Sequence, residues 1–364
     1  MALKWLPAYF WQRVARPAID TPFHLVIAVA NHFEPYTVQS CPATFAPFEL
    51  QLSRVKQWIE QYPKVFDRYR DTSGSPLKHT YFFPAEHYHP QILALLADHC
   101  HRGWGEVEIH RHHGMGLADT PENTKEALTS FRDTLVTHGC LCRLDDVGGP
   151  RYAFVHGNFA LANSGGGRYC GVDSELQILA ETGCYADFTL PSWPNRAQIQ
   201  KINALYECES PLSRRAAHRS GRDLVIGVRP TLFPLIIQGP LMVDFGKRCR
   251  WLLPVIENSA LTVRNPPSLR RLRLWIQASV TVRGRPNWAF VKLHCHGMDP
   301  RDTPALLGTP IVDFLSGLSE LEKQGVFRTY FVTAREMANV LLAACDGRDG
   351  PPSEFKNYRL HLAF

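Results

Sequence analysis

An eight-residue run at 23–30, Phe-His-Leu-Val-Ile-Ala-Val-Ala, is apolar on nearly every position of an extended chain, the pattern of a strand buried on both faces. Comparable runs recur at 78–83, 105–110, 152–155, 184–190, around 235–238 and at 288–293, followed by an apolar stretch at 326–332. Between them lie segments with apolar residues at helical spacing: 48–70, 90–101, 121–138, a short one at 173–183, then 268–280, 311–323 and 334–344. Thr120 is placed to cap the third of these, with Pro121 at its first position. Alternating strands and helices make an α/β fold with parallel strands, and seven or eight such units close most simply as a (β/α) barrel, distorted here by extra loops and helices. A chain of 364 residues is long enough for one such elaborated domain. The expected division is an aromatic and basic segment at 1–22, a barrel domain at 23–346 and a tail at 347–364.

The strands end in polar side chains. Eight of the sixteen histidines fall between His79 and His113, so they crowd onto neighbouring strands and the helix between them. The carboxyl ends of parallel strands are where α/β enzymes place their chemistry, and neutral imidazole is a common metal ligand. At the end of the 105–110 strand stand His110, His112 and His113. Residues two apart on a strand share a face, so His110 and His112 could bind together; a turn beginning at His110 would bring in His113 instead. We expect His110 and His113 as metal ligands, completed by His32 or Glu34 from the first strand end. His294 and His296 leave the 288–293 strand where a barrel would close beside the first, and one of them is placed to donate a proton, with Asp187 in support. Glu86, His87, His112, His156 and Asn158 are the candidates for holding substrate. A hydrolytic site needs an activated water, a group that polarises the bond to be cut and a proton donor, and these residues can supply all three.

Composition excludes several alternatives. With 20% charged, 45% hydrophobic and 11% aromatic residues the chain is globular. Its ten cysteines include no Cys-x-x-Cys pair, the closest spacing being Cys140 and Cys142, so reduced thiols in a cytoplasmic protein are expected and zinc held by thiolates is not. The net charge of +6 is concentrated: residues 209–285 carry fourteen Lys or Arg against four Asp or Glu. Such a stretch suits an anionic polymer, a lipid surface or nucleic acid, but no helix-turn-helix, zinc-finger or RNA-binding pattern accompanies it, so nucleic acid is not expected and a solvated basic face is. The helix at 268–280 supports this, because Leu269, Leu272, Ile276 and Val280 share one face and leave its arginines to solvent. At 1–17, Trp5, Tyr9, Phe10 and Trp11 mix with Lys4, Arg13 and Arg16. That segment is too short to span a bilayer and lacks the pattern of a secretory signal; it suits packing onto the domain or lying at a membrane surface, which would make the protein peripheral at the inner membrane. The three glycines at 165–167 lack the lysine of a phosphate-binding loop and are expected to be a flexible turn.

Taken in order, these features resemble the polysaccharide deacetylases of the NodB-homology superfamily, especially its divergent members. That family has a strand ending in acidic residues, a strand ending in a His-x-x-x-His metal pair, a later aspartate and a Leu-x-His near the C-terminus. Here Val-Ala-Asn31-His32-Phe33-Glu34-Pro35 looks like the first motif, Glu108-Ile109-His110-Arg111-His112-His113 like the second, Asp187 like the later acid and Lys292-Leu293-His294 like the last. Phe154-Val155-His156-Gly157-Asn158 and Val332-Thr333-Ala334-Arg335-Glu336 also look like segments of the divergent branch. The resemblance implies a distorted β/α barrel and a carbohydrate-related ancestry more than it implies N-deacetylation. It has departures: Asn31 stands where the family has a catalytic aspartate, and an amide takes no proton at neutral pH. His110 and His113 are three apart rather than four, and no Arg-x-Pro motif lies between them and Asp187.

The leading expectation is a cytoplasmic metal-dependent hydrolase of an acylated or amino-sugar carbohydrate, with zinc as the first choice of divalent ion and cobalt or manganese as others. The alternative, drawn from Asn31 and the basic 209–285 stretch, is a barrel that has lost catalysis and serves as a carbohydrate-binding or scaffold subunit among polysaccharide-assembly proteins or at a membrane surface. A glycosidase with paired carboxylates is a third, weakened by strand ends rich in histidine and poor in acids.

Overall fold

The computed structural model describes residues 3–362 apart from 17, 20, 39–44, 115, 116, 146 and 249–253. Cys41, Cys249 and Arg250, counted above, lie outside the described residues. The apolar runs do become strands: Phe23–His32, His79–Pro84, Gly105–Arg111, Val147–His156, Cys184–Asp187, Leu235–Ile237, Trp288–Cys295 and Phe327–Val332. The helices between them are Phe48–Phe66, Pro90–His99, Pro121–Thr137, Glu175–Thr182, Leu269–Gln277, Thr309–Lys323 and Ala334–Cys345. Thr120 caps as its sequence position suggests, accepting a hydrogen bond from the Asn123 N–H at 3.2 Å.

Within the curled sheet the order runs Ala260–Leu261, Trp288–Cys295, Phe23–His32, His79–Pro84, Gly105–Arg111, Val147–His156, Cys184–Asp187, Leu235–Ile237, Leu205–Cys208, Gly221–Asp223. Pairing is parallel from the first of these through Leu235–Ile237 and antiparallel beyond. The expected neighbour of the first strand is there, with His24 to Asn31 in register with Trp288 to Cys295. The sheet nevertheless stays an open half-barrel. On its other edge the Phe23–His32 strand is shared, pairing first with Phe327–Val332 and then with His79–Pro84. The outermost strands are the two-residue Ala260–Leu261 and the three-residue Gly221–Asp223, too short to zip the ends together. Coil bridges the gap instead: Arg283 N–H donates to Leu224 O at 2.9 Å and Phe290 N–H to Val280 O at 2.9 Å.

Alternation along each strand sorts the core into two layers. Leu25, Ile27, Val29, Val107, Ile109, Val291 and Leu293 face outward onto the helices, meeting Val55, Trp58 and Tyr62 of Phe48–Phe66 and Leu128 and Phe131 of Pro121–Thr137. Val26, Ala28, Ala30, Phe82, Ala153, Val155 and Phe290 face the concave side. There the Ala334–Cys345 helix fills the trough. All twelve of its residues are buried, and it touches both Phe23–His32 and Val147–His156, which have two other strands between them in the sheet. A helix that turns no face to water needs small or apolar residues, as at Ala334, Ala338, Ala343 and Ala344, and a partner for each polar one, as Glu106 for Arg335, Lys78 for Glu336 and the Lys356 and Leu360 carbonyls for Asn339. Truncating Leu341 or Leu342 there would cost roughly 2–5 kcal/mol. Its amino end is a capping box: Thr333 Oγ1 accepts from Glu336 N–H and Glu336 Oε2 from Thr333 N–H.

Of the three arginines of Leu269–Gln277, Arg270 and Arg273 are exposed as expected, and Arg271 is the exception. Arg271 is buried, with both carboxylate oxygens of Glu257 at 2.7 Å and a third partner in Ala260 O. Arg270 pairs with Asp244, and three acids from outside the 209–285 stretch take up part of its positive charge, Glu207 with Arg222, Asp346 with Arg229 and Asp349 with Arg285. At the other end of the chain Leu6–Ala15 is a helix whose Trp5 cap and Tyr9 are buried, Trp5 edge-on to Trp193, while Phe10, Trp11 and Val14 are exposed. Among the described residues no helix is long and apolar enough to cross a membrane, and the eight described cysteines are free thiols.

Candidate metal centre

At the carboxyl ends of the central strands the concave face carries a row of imidazoles. His32 follows Ala30 on the inner side of the first strand, His110 follows Glu106 and Glu108 on the histidine strand, and His294 stands in register with Ala30. Ring centroids lie 4.9 Å apart for His32 and His110, 4.6 Å for His32 and His296, 6.3 Å for His32 and His294 and 4.5 Å for His110 and His112. Glu34 sits among them, its Oε1 3.1 Å from His110 Nε2 and 3.3 Å from His112 Nε2, its Oε2 3.8 Å from His296 Nε2. Donor atoms of His32, Glu34 and His110 all come within 4.8 Å of one another.

One hydrogen bond decides what His110 can do. Its Nδ1 donates to Val155 O at 2.8 Å, so in the neutral ring Nε2 carries a lone pair, and that lone pair points at Glu34. A bare nitrogen facing a carboxylate oxygen is repulsive unless a proton or a cation lies between them. Carbonyl-anchored imidazoles are how metal ligands are oriented.

The surrounding electrostatics favour the same set. Burial, with His296 and His110 adding to it, holds His32 well below the usual imidazole range, and burial with the Lys292 ammonium does the same for His294. Burial alone would raise the Glu34 carboxyl, but the imidazoles of His110, His112 and His296 around it outweigh that and hold Glu34 well below the usual carboxylate range. His112 goes the other way: burial lowers it, yet Glu34 and Glu86 together lift it to about 9. Glu86 Oε1 is 2.6 Å from His112 Nδ1 and accepts from the His112 backbone N–H at 3.1 Å. The centre is open to solvent: the side chains of Glu34, His112, Glu86 and His296 are 12%, 20%, 24% and 39% exposed. Beside it His87 stacks on Tyr36 with centroids 3.8 Å apart and touches the ring of Phe45, which is itself exposed.

His113 does not join this group. One residue beyond His112 its ring turns to the outer layer, where His113 Nε2 is 2.8 Å from Glu175 Oε1 and Nδ1 is 2.9 Å from Asp119 Oδ2. The reason is the two-residue period of the strand, which sends neighbours to opposite faces, so His110 and His112 share a side and His113 cannot. His156, on the outer face of its own strand, comes with it, ring centroids 4.6 Å apart, and Nε2 of His156 is 3.5 Å from Glu175 Oε1. Cys170 Sγ completes a second group with His113, His156 and Glu175, all four buried.

Asp187 is also placed apart from the histidines it was expected to support. Its carboxylate accepts from Thr189 N–H at 3.1 Å and Thr189 Oγ1 at 2.7 Å, and its charged neighbour is Lys292, whose Nζ donates to Phe188 O at 2.7 Å. Burial carries the Asp187 carboxyl up to about 7 and the Lys292 ammonium down to about 7. Asn158 follows at a left-handed position, φ +57°, where its carbonyl accepts from Asn195. Asn31 lies on the opposite face of its strand from His32 and Glu34; fully buried, it binds His79 through Nδ2 at 3.2 Å and accepts from Gly297 N–H at 2.8 Å. It fastens the turn after Trp288–Cys295 and is not a member of the imidazole cluster.

A cleft of about 440 Å³ opens at the amino ends of the strands, lined by Lys78, Glu106, Arg335 and Glu336 among others. Its charges are already matched, Arg335 to Glu106 at 2.7 Å and Lys78 to Glu336 at 2.5 Å, which makes it a poorer place for chemistry than the strand ends opposite.

No family model and no curated protein sequence matches the chain. Among solved structures an alpha-mannosidase from Enterococcus faecalis V583 aligns with a TM-score of 0.34 and 8% identity, over 86% of this chain. The chain spans only 28% of that protein's length, and a likeness this slight carries no argument about activity.

Proposed function

We propose that the protein is a divalent-metal-dependent hydrolase of acylated or amino-sugar carbohydrates, with its reaction centre at His32, Glu34 and His110. The observation that carries this is the aim of His110 Nε2: with Nδ1 committed to Val155 O, the opposite ring nitrogen and the Glu34 carboxylate converge, beside the His32 imidazole, on one point at the strand ends. Two nitrogens and one oxygen with room left over is the donor set of a catalytic rather than a structural ion. The chemistry such an ion supplies when bound is a nucleophile from water near neutral pH and polarisation of the bond under attack.

The chain's own side chains supply the rest. His296, the most exposed of the imidazoles here and 3.8 Å from Glu34, is placed to hand a proton to a leaving amine or alkoxide. His112, held between Glu34 and Glu86, remains protonated at neutral pH and fixes both carboxylates at the edge of the centre. Tyr36, Phe45 and His87 give an aromatic shelf for the apolar face of a sugar ring. The substrate class follows the sequence resemblance to polysaccharide deacetylases. The scaffold reading rested partly on Asn31, and that ground is lost, since the amide is buried on the other face of the strand.

A glycosidase remains the second reading, because Glu34 and Glu86 flank His112 from its two ring nitrogens and so bring two carboxylates to one place. Product analysis separates the two. Purified protein supplied with zinc, cobalt or manganese is incubated with N-acetylated and O-acetylated oligosaccharides, and acetate and new reducing ends are measured. We expect acetate release, abolished by chelation and reduced in His110→Ala by more than the roughly 10–100-fold typical of changes outside the ligand set. New reducing ends without acetate would favour the glycosidase, and neither product with no ion bound would overturn both.

A further inference from the structure

The second group, on the outer face, has a different character. His113 arrives from the end of Gly105–Arg111, His156 from the end of Val147–His156, Cys170 from the loop after the 165–167 glycines and Glu175 from the first turn of Glu175–Thr182. We infer that His113, His156, Cys170 and Glu175 form a closed, structural zinc site, separate from the proposed reaction centre. Their donor atoms lie within 4.8 Å of one another. Contacts of 2.8 Å from Glu175 Oε1 to His113 Nε2, 3.5 Å to His156 Nε2, and 3.7 Å from Cys170 Sγ to Glu175 Oε2 surround the edge of about 3.3–3.8 Å expected for a tetrahedron with zinc–ligand bonds of about 2.0–2.3 Å.

Three further observations point to an ion rather than a plain polar cluster. His156 donates through Nδ1 to Gly157 O, which leaves Nε2 without a proton; that nitrogen is fully buried, has no hydrogen-bond partner and faces a carboxylate. His113 donates through Nδ1 to Asp119, itself held by Arg111 at 3.2 Å and by Thr120 N–H at 2.9 Å, the carboxylate–histidine support that orients zinc ligands. The formal charge closes as well: one thiolate, one carboxylate and two neutral imidazoles balance a divalent ion, which suits a pocket where the side chains of His113, His156 and Glu175 are 1%, 0% and 0% exposed. With every ligand buried there is no position for substrate, and the site's work is to tie two strand ends, a loop and a helix start together. Cysteine spacing gives no hint of such a site, because each ligand comes from a different segment.

Cobalt titration of the full-length protein tests this apart from any activity. We expect two ions per chain in the wild type and a thiolate-to-cobalt charge-transfer band in the near ultraviolet. His110→Ala keeps one ion and the whole band; Cys170→Ser loses the band. Should Cys170→Ser fail to fold, X-ray absorption at the zinc edge of the His110→Ala protein decides, with one sulfur in the shell expected. An ion held at the reaction centre with no thiolate band and no sulfur neighbour would overturn the closed site while leaving the proposed function standing. The reverse pattern, a band that survives with no second ion, would overturn the reaction centre and leave this site. No ion and no band would mean that His113 is an imidazolium between Asp119 and Glu175, and would overturn both.

Discussion

Two groups of imidazoles leave one strand end in opposite directions. His110 and His112 turn to the concave face and meet Glu34, Glu86, His32 and His296, several of them touched by solvent. His113, the next residue, turns outward and is sealed in with His156, Cys170 and Glu175. The residue types are nearly the same in both. What differs is access, and access separates a site that can turn over a substrate from one that can only hold the fold together.

The sharpest way to break the comparison is to remove Glu175. Glu175→Ala strips the sealed group of its carboxylate and leaves a buried divalent ion one ligand and one negative charge short, which should cost about 3–5 kcal/mol in denaturant unfolding or leave the protein insoluble. Unchanged stability with lost hydrolysis would instead move the chemistry to the sealed side. Next in size is Glu34→Gln, which keeps the shape of the open group but removes its charge. Hydrolysis should fall about 100-fold while the unfolding free energy moves by no more than about 1 kcal/mol, since the side chain is partly hydrated. An equal loss in stability would mean that the open group, too, serves the fold.

A smaller effect is expected from Gly157→Ala. A methyl group there would run into the ring of His112 and the Arg111 carbonyl, so the substitution displaces one member of the open group from the direction of the sealed one. We expect kcat to drop by about tenfold with metal content unchanged. Away from the open group, a pH effect is expected. Asp187, raised to about 7 from 3.8, stays protonated in the folded protein while the unfolded chain ionises, so it costs stability as pH climbs from about 4 to 7. Asp187→Asn removes that loss. Its Tm relative to wild type should therefore rise over this range and level off above it; a flat difference would show that Asp187 is ionised beside Lys292 throughout.

Much of this was legible in the chain. The strands at 23–32, 105–111 and 288–295 follow from their apolar alternation, and the pairing of the first with the last follows from the habit of α/β units. So does the convergence of His32, Glu34, His110, His112 and His296, which are all inner-face residues at strand ends. The open half-barrel was not, because it depends on Phe327–Val332 and His79–Pro84 sharing one edge of the first strand, and periodicity says nothing about which edges are shared. Nor was the burial of Arg271, whose partner Glu257 lies across an irregular segment. His113 shows the limit most plainly. Strand period alone argues against pairing it with His110, yet whether a strand ends at 110 or 112 decides the matter, and boundaries are what sequence patterns fix least well. Glu175, Cys170 and Asp119 carried no signal beyond a carboxylate in a helix's first turn, a cysteine after glycines and an acid before an N-cap.

The most direct test is anomalous diffraction at the zinc edge from crystals grown with zinc. A peak bounded by His110 Nε2, Glu34 and His32, with solvent on its remaining side, is the result expected. Clear density for these side chains with no peak between them, and His110 hydrogen-bonded directly to Glu34, would contradict a metal-based reaction centre at the strand ends.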